Sequence, residues 1–288
     1  PPTDPAAAKP HTGRKQAGAF PKARFFRKGC PTHSHHAENI QMNNSRDHEK
    51  RPLQTVMLNS WGWSQSGEHK EENEDAFLNW PERYCWAVAD GVGSSDYAAR
   101  ASQFLIKKLM SLPEATSLEN HVQNARACLE EANALLSSRA MWPGTASSTI
   151  VLLLIHEEQA SCLWAGDSRC YLLRDNVLYQ CTNDHTLRQE KIDSGELTRP
   201  EAYRMVKGNI ITNAIGTNST KLDEVRFILH PGDRILLCSD GLSNILNDIK
   251  LTSLLCEGNA HTCAERIREA IMKYPHPDDT SFVTIFLS

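Results

Sequence analysis

The chain has no Cys-x-x-Cys pair among its nine cysteines, so neither a zinc clasp nor a dithiol redox couple is written into it. An odd count also argues against a disulfide framework, and Cys85, Cys162, Cys170, Cys181 and Cys238, each in an apolar strand-like run, read as reduced core thiols. Long apolar runs are lacking as well. The longest aliphatic stretch, Ile150 to Ile155, falls far short of the ~18–20 residues of a membrane span, and no secretory apolar segment is visible near the N-terminus. No glycine-rich phosphate loop or dinucleotide fingerprint is present, which counts against nucleotide-dependent chemistry. These absences predict a cytoplasmic protein with no membrane span.

Charge is unevenly placed. Residues 1–52 hold ten Lys/Arg and four Asp/Glu, a net of +6, which leaves −10 for residues 53–288 out of a whole-chain −4. An acidic body without an aromatic–basic groove argues against nucleic acid as a partner and suits a site that collects cations. Residues 1–52 mix Pro, Lys, Arg, His and Asn without an apolar period, so they are expected to form a flexible basic tail; the cluster His33, Ser34, His35, His36 reads as part of it. A single domain is expected over 53–288.

Within that body, Ala98, Ala101, Phe104, Leu105 and Leu109 step at helical spacing, as do Val122, Ala125, Leu129, Ala132 and Leu136. Strand-like runs follow at Ser148 to Ile155, Ser161 to Ala165, Cys170 to Leu173, Val177 to Cys181, Arg226 to Leu229, Ile235 to Cys238 and Phe282 to Leu287, with Asp175-Asn176 as a hairpin turn. A last helix is predicted from Thr262 to Met272. The stretch from 184 to 209 interrupts the strands as a flap, with Thr198 and Glu201 spaced as a capping box and Pro200 in the first turn. Many antiparallel strands with segregated helices favour an α+β sandwich over a parallel doubly wound sheet.

Four aspartates are expected at junctions of strands and turns: Asp75 closing Asn73-Glu74-Asp75, Asp90 after the run Tyr84 to Ala89, Asp240 after Ile235 to Cys238, and Asp278 before Phe282 to Leu287. Taken singly, each has an ordinary reading as a turn or cap residue. Together they offer the oxygen donors that hard dications such as Mg²⁺ or Mn²⁺ take, and a pair of such ions can activate a water for in-line attack on phosphorus. Asp90 is the natural bridge between two ions. Gly91 beside it leaves its carbonyl uncovered, and Gly93 loosens the loop.

The motifs also have a recognisable order. Gly67…Asn73-Glu74-Asp75-Ala76, Val88-Ala89-Asp90-Gly91-Val92-Gly93, Gly144-Thr145-Ala146, Ala165-Gly166-Asp167-Ser168-Arg169, Thr182-Asn183-Asp184-His185-Thr186, Ala214-Ile215-Gly216, Ser239-Asp240-Gly241-Leu242-Ser243 and Asp278-Asp279-Thr280-Ser281 resemble the metal-dependent protein phosphatase 2C family, in its short bacterial form. The resemblance covers about Ser60 to Ser288. It implies two stacked antiparallel sheets flanked by pairs of antiparallel helices. It also implies hydrolysis of phosphoserine and phosphothreonine in proteins by a metal-bound hydroxide. The cofactors would be two Mn²⁺ or Mg²⁺ ions, with a third and weaker site. On it, Asp90 resembles the bridging ligand, Gly91 the carbonyl ligand, and Asp240 and Asp278 ligands of one metal, while Glu74 and Asp75 hold waters. Asp167 matches the acid of the third site; its ordinary reading is a hairpin turn or a salt bridge to Arg169. His185 is expected to fix the start of the flap. Phosphorylated proteins are the implied partners, with an opposing bacterial Ser/Thr kinase in signalling or secretion control, and the protein is expected to be a monomer.

Several positions depart from the family pattern. Lys70 stands where the family has a phosphate-clamping arginine and offers a point charge in place of a planar fork. Val92 occupies the place of a histidine proposed as general acid in some relatives. Ser94 and Ser95 replace a Gly-His pair, and Asp279 replaces an asparagine, adding charge beside Asp278. Two other classes of function follow as alternatives: a weakly active pseudophosphatase that binds phosphoproteins, favoured by Lys70, and a metal-dependent nuclease, disfavoured by the acidic body.

Overall fold

The computed structural model describes residues 26–27, as backbone only, together with 57–93, 97–138, 146–208 and 210–288. Two antiparallel sheets make its centre. Sheet one runs β1 (Phe26–Arg27), β9 (Val177–Gln180), β8 (Arg169–Arg174), β11 (Arg234–Cys238), β12 (Thr280–Leu287), β2 (Leu58–Gln65). Sheet two runs β10 (Asp223–Ile228), β7 (Gln159–Ala165), β6 (Ile150–His156), β4 (Cys85–Val92), β3 (Asp75–Trp80), with the short β5 (Ser147–Ser148) also on β4. Helices α1 (Ala98–Leu109) and α2 (Leu118–Ser137) cover sheet two, whereas α5 (Asp240–Ile245), α6 (Asp248–Leu255) and α7 (Ala260–Ile271) cover sheet one.

This layering explains why the central strands read as unbroken apolar runs. Side chains alternate between the faces of a strand, and in β6 Ile150, Leu152 and Leu154 enter the core beneath α1 and α2 while Val151, Leu153 and Ile155 enter the core between the sheets. Strand β11 divides in the same way, Ile235 and Leu237 facing sheet two and Leu236 and Cys238 facing α5 to α7. A strand buried on both faces loses the polar alternation of an exposed one. The five core cysteines are buried and free, filling these layers as small hydrophobes.

The helix stripes seen in the sequence are the buried faces of α1, α2 and α7, including Leu105 and Leu109, Leu129 and Leu136, and Cys263 and Ile267. Ser117 caps α2 by accepting from the Asn120 amide at 3.1 Å. Asp175 and Asn176 both have positive φ, 50° and 61°, as a two-residue β8–β9 hairpin turn requires. The flap carries α3 (Leu187–Asp193) and α4 (Arg199–Met205), and the Glu201 carboxylate accepts from the Thr198 amide at 2.9 Å, as the capping box predicts. Among the described residues, no helix is long and apolar enough to cross a membrane.

Two local expectations need correction. Asp75 does not end a strand but opens β3, and β4 continues two residues beyond Asp90, whereas Asp278 precedes β12 as expected. Asp240 follows β11, as expected, and is itself the first residue of α5. Helix α6 and strand β2 were not anticipated. The α6 sequence has only Asn247, whose side chain accepts from the Lys250 amide, as a start signal, and β2 is interrupted by Gly62, where a Cβ would lie 2.2 Å from the Phe77 ring. Most of residues 1–52, Ser94, Ser95, and Gly144-Thr145 fall outside the described residues; of the tail, Phe26 and Arg27 pair with Gln180 and Tyr179.

Candidate active site

Strand pairing gathers the aspartates at one end of the sandwich. In sheet two, Asp75 and Asp90 are direct cross-strand partners on β3 and β4. In sheet one, the β11–β12 pairing brings Cys238 opposite Phe282, so Asp240 and the Asp278-Asp279 pair emerge side by side. Ser239 ties the sheets together: its hydroxyl donates to Asp75 Oδ2 at 2.7 Å and accepts the Ser281 amide at 2.9 Å. Asp167 lies on the β7–β8 connection, where the chain passes from one sheet to the other, in a turn that Gly166 permits with φ of 114°.

The backbone around Asp90 is held on three sides. Its amide donates to Thr149 Oγ1 at 3.1 Å, and its carbonyl accepts from the Thr149 amide at 2.8 Å and the Ser148 hydroxyl at 2.9 Å. Gly91 follows because nothing larger fits: a Cβ there would lie 2.5 Å from the Ala98 backbone at the start of α1 and 2.9 Å from the Glu74 carbonyl. The close approach of α1 therefore demands glycine, a reason separate from any exposure of its carbonyl. Gly93, with φ of 114°, gives the chain its turn out of β4.

Gly241 has a comparable role across the site, where a Cβ would lie 2.0 Å from the Asp279 carbonyl. Gly241→Ala should force α5 away from the 278–279 loop and cost about 1–3 kcal/mol, the scale of overpacking. Urea denaturation checks this; an unchanged midpoint would show that the loop gives way freely.

Electrostatically the cluster is strained by like charge. Burial above all, with the charges of Asp279 and Asp240, pushes Asp75 up to about 7 against the hydrogen bonds from Ser239 and Ser281. Burial, Asp240 and Asp184 push Asp167 up to about 8, and burial with the Asp278 charge pushes Asp240 up to about 6. Asp90 is raised well above the carboxylate range by burial and by Asp75, Asp240, Asp167 and Asp278. Asp75 Oδ1 and Asp167 Oδ1 are buried without a hydrogen-bond partner, which is costly unless something else engages them.

Lys70 stands among these acids. Its ammonium lies 2.7 Å from Glu74, 2.7 Å from Asp278 and 3.1 Å from Asp279. Burial opposes its charge, but the hydrogen bonds from Asp278 and Glu74 outweigh it and raise the pKa above the ordinary lysine value. Asp279 is only 2% exposed and also accepts the Gly67 amide at 2.8 Å and the Glu74 amide at 2.7 Å. It thus clamps the 67–74 loop onto β12, a role that its place as a departure from the family pattern did not reveal. The charge effect expected of it is also present, since it helps raise Asp75.

The salt bridge considered between Asp167 and Arg169 is not the one formed. Arg169 engages Asp184 with two bonds, Nε to Oδ1 at 2.9 Å and Nη2 to Oδ2 at 2.6 Å, and reaches Tyr171 with Nη1. That leaves Asp167 facing the cluster. His185 fixes the flap, as expected: its Nδ1 accepts the Gly166 amide at 3.1 Å, so the proton sits on Nε2, 3.3 Å from Asp223, and the ring stacks on Trp164.

Among the described residues, no group of three or more His, Cys, Asp or Glu side chains forms a ready-made metal clasp. The donor set nevertheless fits a hard dication. It consists of oxygens alone, it includes two buried oxygens without partners, and each mutual repulsion in it is one a cation would relieve.

The protein phosphatase 2C profile matches residues 66–273. The chain belongs to the protein phosphatase 2C family. It is 30% identical over 196 residues to the serine/threonine phosphatase stp of Listeria monocytogenes serotype 4b, covering 65% of this chain and 77% of that protein. It is 28% identical over 232 residues to the serine/threonine protein phosphatase PstP of Mycobacterium tuberculosis, covering 80% of this chain and 45% of PstP. Among solved structures, PppA, a regulatory component of the type VI secretion system in Pseudomonas aeruginosa, superposes with a TM-score of 0.73 at 32% identity over 80% of this chain and 98% of PppA. The PstP catalytic domain in complex with two manganese ions superposes with a TM-score of 0.69 at 29% identity over 81% and 99% of the two chains. The sandwich of antiparallel sheets and helices is the architecture of this family.

Proposed function

We propose that this protein phosphatase removes phosphate from phosphoserine and phosphothreonine in proteins, and that the carboxylate cluster is where it does so with two Mn²⁺ or Mg²⁺ ions. The observation that carries the reading is the convergence of Asp75, Asp90, Asp167, Asp240 and Asp278 from both sheets, with buried oxygens left unpartnered. In this reading Asp90, the Gly91 carbonyl, Asp240 and Asp278 would hold the two ions, with Asp90 as the central ligand, and Asp167 would hold a third, weaker one. When bound, the dications supply Lewis acidity at the phosphoryl oxygens and lower the pKa of the attacking water.

The protein's own groups supply orientation. Asp75, fixed by Ser239, and Glu74, beside Lys70, position that water and accept hydrogen bonds from it. The Lys70 ammonium neutralises the substrate phosphate as it enters and fixes one of its oxygens. With valine at position 92, that side chain has no proton to give the leaving oxygen, and a water of the site would supply it.

The ion pairs of Lys70 also support a second reading. An ammonium committed to three carboxylates has less to give a phosphate, which suits a weakly active phosphoprotein-binding module. The physiological place we propose is opposite a bacterial Ser/Thr kinase, in signalling or secretion control, in the cytoplasm; likeness to PppA supports the secretion branch.

The test is hydrolysis of an aryl phosphate, then of a phosphothreonine peptide, after chelation and after Mn²⁺ is restored. Activity is expected to vanish with chelation and return with Mn²⁺. Full turnover in chelator would overturn the metal reading, and no turnover with Mn²⁺ would favour the binding module.

A further inference from the structure

We propose that the flap wall around Arg188 is a subsite for an anionic group close to the phosphorylated residue of a protein substrate, so that the enzyme prefers phosphosites with an acidic or anionic neighbour. The inference rests on the phosphatase reading above. One cleft is lined both by Asp167 and Asp240 of the carboxylate cluster and by Arg188, Tyr203 and Gly208 of the flap. A peptide whose phosphorylated side chain reaches the carboxylates can lay a neighbouring residue along this cleft.

Arg188 is held as a presented cation. Its Nε and Nη2 donate to the Val206 carbonyl at 3.3 and 3.0 Å, and its guanidinium lies over the Tyr203 ring, 4.5 Å from the centroid. Gly208 makes the room, since a Cβ there would sit 2.6 Å from both Nη1 and Nη2. The head is thus oriented by a carbonyl and an aromatic face, neither of which cancels its charge. Among the described residues, no carboxylate pairs with it. Arg169, which also lines the cleft, is different: Asp184 takes it with two bonds.

The exposed Arg199 adds a second cation on the same ring, 5.9 Å from its centroid and likewise without a carboxylate partner among the described residues. Two guanidinium groups without carboxylate partners on one tyrosine, in a body whose net charge is −10, make a local positive patch on the flap. Carboxylates across the cleft disfavour a loosely held anion, so capture depends on the directed N–H groups of Arg188 and not on charge alone. A planar carboxylate and a tetrahedral phosphate can both accept from the N–H groups that the Val206 carbonyl leaves free.

The experiment compares kcat/KM, with Mn²⁺, for phosphothreonine peptides carrying Glu, a non-hydrolysable phosphonate or Lys at each of the three positions on either side. The wild type should favour Glu or phosphonate over Lys about tenfold at one or two of those positions, the scale of one partly solvated charge-assisted contact. R188Q should level that preference and R188E reverse it, and higher salt should shrink it in the wild type. A larger gain from the phosphonate marks multiply phosphorylated substrates, and an equal gain from Glu marks acidic ones; either supports the subsite. Equal wild-type rates on all peptides would overturn it without any variant, so a poorly folded R188E leaves the test intact. No turnover of any peptide would instead overturn the phosphatase reading beneath.

Discussion

Asp90→Asn is expected to lower kcat on a phosphothreonine peptide at saturating Mn²⁺ by about a hundredfold or more, the scale of deleting one preorganised electrostatic contact at a reacting centre. Asp90 pairs across strands with Asp75, and its carboxylate feels Asp240, Asp167 and Asp278 as well. Those repulsions and its burial already favour the protonated acid when no cation is near, and an amide mimics that acid in shape. The metal-free variant should therefore melt at the wild-type temperature or above it. What should disappear is the response to metal: a site filled at a hundred times its Kd stabilises the folded protein by about 2.7 kcal/mol. Melting scans of both proteins with and without Mn²⁺ separate the two effects. A variant that keeps both the turnover and the Mn²⁺-induced shift would sink the assignment of Asp90 as the shared ligand.

The parts of this molecule that could be read from its sequence are those where one physical demand dominates. The stripes of α1, α2 and α7 are single apolar faces, and Ile150 to Ile155 is apolar throughout because β6 is covered on both sides. Asp175-Asn176 had to turn tightly. The aspartates were legible as a set because their motifs keep a family order, although the placement of Asp75 and Asp90 relative to strand ends was not, since Asp-x patterns do not say whether a turn precedes or follows. Long-range partners were the illegible part. Nothing local to Asp279 says that it will accept the amides of Gly67 and Glu74, more than two hundred residues earlier in the chain. Arg169 could not be assigned to Asp184 over Asp167 from spacing alone, because the β8–β9 hairpin decides which acid returns beside it.

Lys70→Ala is expected to reduce kcat/KM on a phosphothreonine peptide by about ten- to a hundredfold, equivalent to roughly 1.4–2.7 kcal/mol of lost transition-state stabilisation. The ammonium is within 3.1 Å of Glu74, Asp278 and Asp279, so its removal has two consequences that must be told apart. One is the loss of the cation that the proposed function sets against the incoming phosphate. The other is the release of three carboxylates, of which Asp279 is buried but keeps its two backbone amide donors, so the loop should hold. Lys70→Arg keeps the charge and adds a planar fork, and should preserve or improve turnover if the contact to phosphate matters. Lys70→Met keeps the length and apolar stem without the charge; it should match the alanine variant in activity while melting closer to the wild type. The binding-module reading expects another pattern: negligible wild-type turnover, with activity emerging only in the arginine variant. Steady-state kinetics on one peptide with all four proteins decides between them, and wild-type rates in Lys70→Ala would reduce this lysine to a neutraliser of its three acids.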